Sequence, residues 1–342
     1  MKSETRGRAL VTGATGLVGR WLITELSRDG WEVLAPVRRA AERGAELAAW
    51  VGAHGGDARR IRVVEGDLAK DGLGLDTEAR AAALGSRLVL HLGAAMAMGL
   101  DATVAHETNV RGAERMIELA RRMPSLQRFV LLSGFRTAVA TPEAAVGAYE
   151  RSKIVAHRRV VELAREHRLP LTLVNPSTVI GDSRTGETTL MWGFADMVSD
   201  IRHRRLEAVP GCGRVWMPLI SVDYLAQFLA RVPVMETEPL TEHFVLDDAT
   251  PTIRGLVERI ATRVGAPPPR LSVPLSVARL ASRVRGRADQ AEMLSFLGPE
   301  RYDVSSADAA AQRAGLHKPD IGEVIDRSVD YLASVRPAVR AA

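Results

Sequence analysis

A doubly wound α/β fold, a parallel sheet of about seven strands with helices on both faces, is what the 342-residue sequence predicts. Three observations predict it. Short apolar runs of strand length alternate with amphipathic stretches of helix length through the first half of the chain. The first run, Ala9-Leu10-Val11, enters a turn with glycines at Gly13, Gly16 and Gly19 and passes at once into a helical pattern carrying Trp21, Leu22 and Leu26. A 46% hydrophobic share with 25% charged residues describes a globular chain with ample material for a core.

Strand, glycine turn and helix in that order make a dinucleotide loop of the Rossmann type. Without Cβ atoms, Gly13 and Gly16 let the backbone turn sharply and approach a pyrophosphate, while Gly19 lets the helix pack closely on the strand. The free N–H groups of the loop and first helical turn, around Thr15, Leu17 and Val18, then face the phosphates.

Residues 31–37 read as the second strand. Where an NAD site would place an acid for the ribose hydroxyls stand Arg38 and Arg39, and guanidinium groups suit a 2′-phosphate, which favours NADP(H). The plain alternative is two solvated arginines opening a helix over 40–51. Residues 61–65 form a third strand, closed by Asp67, which would accept from the adenine amine, and Leu68, which would cover the ring; a simple turn aspartate fits Asp67 equally. The fourth strand, 88–92, opens into Gly93, Ala94 and Ala95, small residues that leave space for ribose and nicotinamide. An amphipathic helix over 107–122 begins near Asn109, a residue suited to bonding neighbouring backbone.

A fifth strand over 128–133 brings the Ser133 hydroxyl to the carboxyl edge of the sheet, where such folds bind ligands. Tyr149 and Lys153 follow, four apart on one face of a helix running to about residue 167. With four tyrosines and four lysines in the chain, chance supplies about 0.05 such pairs, so the spacing is informative. A phenol of pKa near 10 is a poor acid or base at neutral pH; an adjacent ammonium stabilises the phenolate and lowers that value. Tyr149 could then give a proton to a carbonyl oxygen as hydride arrives, Ser133 could stabilise the developing charge, and Lys153 could also hold the ribose.

A sixth strand over 170–175 leads to Pro176 and Thr178, beside the expected nicotinamide position. After a polar turn at 182–187, a helix is expected over 188–206; its large apolar residues suit either a substrate wall or ordinary packing. A short edge strand within 209–217, a return to the nucleotide domain over 218–229, a seventh strand at 243–246 and a helix at 252–264 follow, and the arginine-rich remainder reads as helical. The expected division is therefore a nucleotide-binding domain of residues 1–181 with 218–247, and a smaller, mostly helical substrate region of 182–217 and 248–342.

Composition narrows the function classes. A single cysteine, Cys212, rules out an internal disulfide or a cysteine-bound metal cluster, and the eight histidines lack zinc-binding spacing, so no metal is expected. The net charge of +5 comes from basic residues scattered among 41 acids with no aromatic stripe, which does not describe a nucleic-acid surface. No run of about 18 apolar residues occurs, and MKSETRGR contains no apolar signal segment, so a cytoplasmic protein without a membrane span is expected. A homodimer is left open.

The motifs GATGLVG, GDL, HLGAA, TNVRG, YERSK and NPSTVIGDSRTG, continuing through SVDYLAQFL and YDVSSADAAAQRAGL, together resemble the extended short-chain dehydrogenase/reductases over nearly the whole chain. Within them, GDLAKDGLGL and GDSRTG look most like the thioester-reductase and fatty-acyl-reductase branch. That resemblance implies NADPH-dependent reduction of a small-molecule or carrier-bound acyl substrate, as thioester or derived aldehyde. One departure stands out. The family's fifth strand usually ends in Ser followed by a catalytic Ser or Thr, whereas Ser133 is followed by Gly134. Ser133 with a shifted backbone, Thr137, or no hydroxyl at all are the alternatives. Two other readings compete: a ketone reductase or alcohol dehydrogenase acting on a bulky apolar molecule, and a nucleotide-binding scaffold or sensor with lapsed catalysis.

Overall fold

The computed structural model describes residues 5–97, 99–284 and 288–335. Its first part runs β1 (Gly7–Thr12), α1 (Leu17–Arg28), β2 (Trp31–Val37), α2 (Ala40–Ala53), β3 (Ile61–Glu65), α3 (Thr77–Leu84), β4 (Leu88–His91), α4 (Ala102–Ala105), α5 (Gly112–Ala120), β5 (Arg128–Leu132), α6 (Ala148–Glu166) and β6 (Leu171–Pro176). Then come β7 (Thr178–Ile180), α7 (Phe194–Arg202), β8 (Ala208–Pro210), β9 (Leu219–Ser221), α8 (Val222–Arg231), β10 (Leu240–Val245) and α9 (Ile253–Val264). The chain closes with β11 (Leu271–Val273), α10 (Leu275–Val284), α11 (Ala288–Ser295), α12 (Ser305–Arg313) and α13 (Ile321–Ser334).

Seven strands form one sheet in the order β10-β6-β5-β4-β1-β2-β3, with parallel pairing between neighbours from β6 to β3. This is the doubly wound α/β fold. Ala9, Leu10 and Val11 of β1 and Leu88, Val89 and Leu90 of β4 are wholly buried, as central parallel strands covered on both faces require. On one side Val110, Met116, Ile117 and Val160 pack on Phe129, Leu131, Leu171 and Leu173. The strand order reverses between β1 and β4, which makes the carboxyl ends of those two strands the crevice of the fold.

The chain divides into two compact units. The first comprises Met1–Pro176, Leu225–Phe244 and Ser305–Leu316, and the second Ser177–Tyr224, Val245–Val304 and His317–Ala342. In the second unit, Phe194, Val198 and Ile201 of α7 share a core with Leu256 and Ile260 of α9 and Val324 and Ile325 of α13. Two small parallel pairs, β7 with β9 and β8 with β11, complete it. The GDSRTG turn is tied down here. Asp182 Oδ1 accepts from the Arg184 and Thr185 amides, the Ser183 hydroxyl donates to Asp223 at 2.6 Å, and a Cβ at Gly186, where φ is +74°, would lie 2.0 Å from the Arg327 carbonyl.

Three local expectations are corrected. The helix expected over 107–122 is instead α4, a π-helical turn at His106–Arg111 and α5. The helix expected over 188–206 shrinks to Phe194–Arg202, because Gly193 at φ 69° stops it and takes the Asp196 carboxylate on its own N–H. The arginine-rich remainder is helical as expected but also contributes β11, and residues 285–287 and 336–342 lie outside the described residues. Among the described residues no helix is long and apolar enough to cross a membrane.

Candidate active site

The glycine turn leaves β1 at the switch point. Gly13 has φ +76°, and a Cβ there would stand 2.8 Å from the Gly93 nitrogen, so the β1 and β4 turns touch through bare backbone. A Cβ at Gly19 would meet the Gly13 carbonyl at 2.1 Å, so only glycine lets α1 start this close to the strand. Gly16 caps α1 without a side-chain bond and no acid stands in its first turn, leaving the amides around Leu17 and Val18 for an anion. Beneath the loop the Thr12 hydroxyl accepts from Gly93 N–H at 3.1 Å and lies 2.7 Å from His91 Nδ1. Burial and the Lys153 charge push the pKa of His91 down to about 3.

At the outer end of β2, Arg38 and Arg39 are exposed. Arg39 adopts φ 58° at the cap of α2 and its guanidinium is 3.3 Å from Glu42. Glu65, the last residue of β3, accepts from the Arg39 and Ala40 amides at 3.0 and 2.8 Å, which lowers its pKa. One turn into α2, Arg43 lines a cleft of about 180 Å³ with Thr15, Arg20, Glu46 and Leu47. Among the described residues the Arg38 and Arg43 guanidinium groups have no hydrogen-bond or ion-pair partner. Asp67 Oδ1 accepts from its own turn at Ala69 N–H, 3.0 Å away. Leu68 fills the space that a Cβ on Gly93 or Gly112 would need, at 2.8 and 3.0 Å.

The helix α6 carries Tyr149, Lys153 and His157 at successive turns of one face. Lys153 Nζ donates to the Leu132 carbonyl at the carboxyl end of β5, 2.9 Å away, and the enclosure of its ammonium pushes its pKa down to about 8. Tyr149 is half-buried on the first turn. Ser133 does not reach toward that turn with a free hydroxyl: its Oγ is 2.9 Å from His157 Nδ1 and the residue is buried. The β5 ladder continues past Ser133 through Phe135 N–H to the Pro176 carbonyl at 3.0 Å. Thr178, placed by sequence beside Pro176, belongs to the second unit, where its N–H bonds the Pro218 carbonyl at 3.1 Å.

Four residues outside the expected site contribute to it, Asn109 through the backbone bonding that its sequence position suggested. Asn109, inside the π-helical turn, takes the Ala95 N–H at 2.7 Å, gives to the Ala95 carbonyl at 3.0 Å and gives to the Ser152 hydroxyl at 2.9 Å, so one amide joins the Ala94-Ala95 loop to α6. Glu150, buried, takes Arg136 Nε at 2.7 Å and the Val146 amide at 3.2 Å, fixing the turn after β5 against the first turn of α6. Arg43 could have been found one helical turn beyond Arg39, and Glu65 from its place at a strand end.

The sequence profile described as the NAD dependent epimerase/dehydratase family matches residues 9–245. Over 301 residues the chain is 26% identical to tetraketide alpha-pyrone reductase 1 of Arabidopsis thaliana, covering 81% of this chain and 86% of that protein. Over 247 residues it is 27% identical to the PKS-NRPS hybrid synthetase cheA of Chaetomium globosum, covering 65% of this chain but only 5% of the synthetase's length. The crystal structure of the terminal R domain from the myxalamid PKS-NRPS biosynthetic pathway superposes with a TM-score of 0.75 at 22% identity, covering 97% of this chain and 92% of that one, a likeness of fold. The glycine loop at the switch point, the Tyr149–Lys153 helix and the profile match lead to one conclusion: the chain belongs to the NAD dependent epimerase/dehydratase family, the extended short-chain dehydrogenase/reductases.

Proposed function

We propose that this protein is an NADP(H)-dependent reductase of a carbonyl group on an apolar or acyl substrate, an acyl thioester, its aldehyde or a ketone. The observation that carries the reading is Lys153: an enclosed ammonium fixed to the Leu132 carbonyl at the carboxyl edge of the sheet, one helical turn from Tyr149. Bound NADPH would supply the hydride. Tyr149 gives the carbonyl oxygen its proton, and the Lys153 charge favours the phenolate left behind. The loop glycines and the uncapped α1 amides fit a pyrophosphate. Arg38, with Arg43 rather than Arg39 as its stronger partner, fits a 2′-phosphate, since both guanidinium groups are uncommitted among the described residues.

Carrier-bound acyl groups are the favoured substrate class, because the cheA match is to a PKS-NRPS synthetase and the myxalamid R domain shares the fold. A ketone reductase acting on a bulky metabolite is the second reading, supported by the α-pyrone reductase match along most of both chains. A panel of octanoyl-coenzyme A, octanal and an aryl ketone with NADPH separates the two. Tyr149→Phe should abolish NADPH consumption with whichever compound is turned over while NADPH still binds; unchanged turnover would reject the assignment of the proton donor.

A further inference from the structure

We propose that Thr137 supplies the hydroxyl that polarises the substrate carbonyl, in place of the Ser133-Gly134 pair at the end of β5. The inference rests on the reductase reading above and deepens it. Three observations carry it: the position of the Thr137 hydroxyl, the commitment of the Ser133 proton and the lack of one at Thr137 among the described residues.

Gly134 offers no side chain, but the space is not vacant of chemistry. A Cβ built on Gly134 would lie 3.1 Å from Thr137 Oγ1, so the threonine hydroxyl borders the space that a side chain from position 134 would enter. The turn is closed by the Thr137 N–H bonding the Gly134 carbonyl at 2.9 Å, and Arg136, between them, is tied by Glu150 to the first turn of α6, which also carries Tyr149. The hydroxyl is thus held by a turn pinned to the helix of the proton donor.

Ser133 cannot fill the same role with its proton. Burial keeps His157 neutral at pH 7, and its Nε2 faces the Glu242 carboxylate at 3.8 Å, which puts the ring proton on Nε2 and leaves Nδ1 as an acceptor. Ser133 therefore donates its one proton to His157. The Thr137 hydroxyl is in the opposite condition. Thr137 is only 7% exposed, and among the described residues its hydroxyl has no hydrogen-bond partner. A hydroxyl whose proton is uncommitted within the protein can donate it to an oxygen that arrives beside it.

In the reaction, hydride adds to the carbonyl carbon, the C=O π pair moves onto oxygen, and that oxygen takes its proton from Tyr149. Thr137 transfers nothing; it donates a hydrogen bond to the oxygen as charge develops there.

The test uses Thr137→Val, which keeps the shape and removes the hydroxyl, with octanal or whichever panel compound the unaltered protein turns over. Thr137→Val should lower kcat by about 10²–10³-fold, while NADPH affinity and melting temperature stay unchanged and calorimetric affinity for the alcohol product falls. Thr137→Ser should restore most of kcat. The double variant Gly134→Ser/Thr137→Ala, in which the threonine no longer crowds position 134, should recover activity relative to Thr137→Ala alone. Full turnover by Thr137→Val alongside a dead Tyr149→Phe would overturn the role of Thr137 and leave the reductase reading standing; full turnover by both would remove that reading itself. Loss of turnover in Ser133→Ala with Thr137→Val unaffected would assign the hydroxyl to Ser133.

Discussion

Enclosing the Lys153 ammonium has a cost that pH can expose. Because its pKa is pushed to about 8, Lys153 is cationic at pH 7 and loses its charge in a range where an ordinary lysine keeps it. The imidazoles nearby, His91 and His157, are both held neutral by burial and do not replace that charge. Reduction should therefore decline as pH rises through about 8, measured as kcat/KM with NADPH; a profile flat to pH 9.5 would show that Tyr149 does not depend on this charge. For stability the sign is opposite: between about pH 8 and 10.5 the unfolded chain holds a proton that the folded one has released, so this group's contribution rises across that window. A second residue-level prediction concerns the cofactor. Arg43→Ala should weaken NADPH binding about tenfold with little effect on NADH, and Arg39→Ala should cost less, because its guanidinium already pairs with Glu42. Equal losses for both nucleotides, by fluorescence titration, would mean that Arg43 does not read the phosphate. The residue types at the site were legible in the sequence. Their commitments were not: nothing in the string Leu132-Ser133-Gly134 announces a histidine 24 positions later that takes the serine proton.

At the scale of elements, the π-helical turn at His106–Arg111 is the piece that sequence periodicity could not reveal. The apolar spacing of residues 110–119 gives helix, and helix is found, but in the widened turn Asn109 bonds both polar groups of Ala95 across space. Replacing Asn109 with Leu removes its bonds to the part-buried Ala95 backbone and to the Ser152 hydroxyl, which keeps its bond to the Tyr149 carbonyl, and should cost about 1–3 kcal/mol in all, read by urea denaturation, together with weaker NADPH binding. A change within 0.5 kcal/mol, on the order of an inert surface substitution, would show that the clamp is dispensable. The over-long α7 has the complementary explanation. Leu190, Met191 and Trp192 look helical by composition, yet Gly193 in a backbone region closed to L residues ends the pattern.

On the scale of the whole molecule, the large sheet was readable because its central strands, β1 and β4, are buried on both faces and so appear as unbroken apolar runs, while β2 and the less buried end strand β3 also fall on the expected residues. The three-residue strands β7, β8, β9 and β11 carry too little pattern to be seen as pairs, and their partners are remote in sequence. Global stability should be acid-sensitive through the β1–β4 junction. Below about pH 6.5 an unfolded His91 takes a proton that the folded one refuses until about pH 3, so stability falls as pH drops through that interval. The melting temperature should be lower at pH 5 than at pH 7, and His91→Gln should reduce that difference; an identical drop in the variant would place the sensitivity elsewhere.

The discontinuous build of the first unit has a consequence for synthesis. Residues 5–176 can assemble six strands, but the outer edge at β6 waits for β10: Thr172 for Thr241, Asn175 for Glu242, and the buried Arg128 guanidinium for the carbonyls of Glu236 and Glu238. Until some 70 further residues have left the ribosome, an apolar border with an unsatisfied cation lies open to any passing strand. Conditions that slow elongation across that interval should therefore favour aggregation of the nascent protein over its maturation.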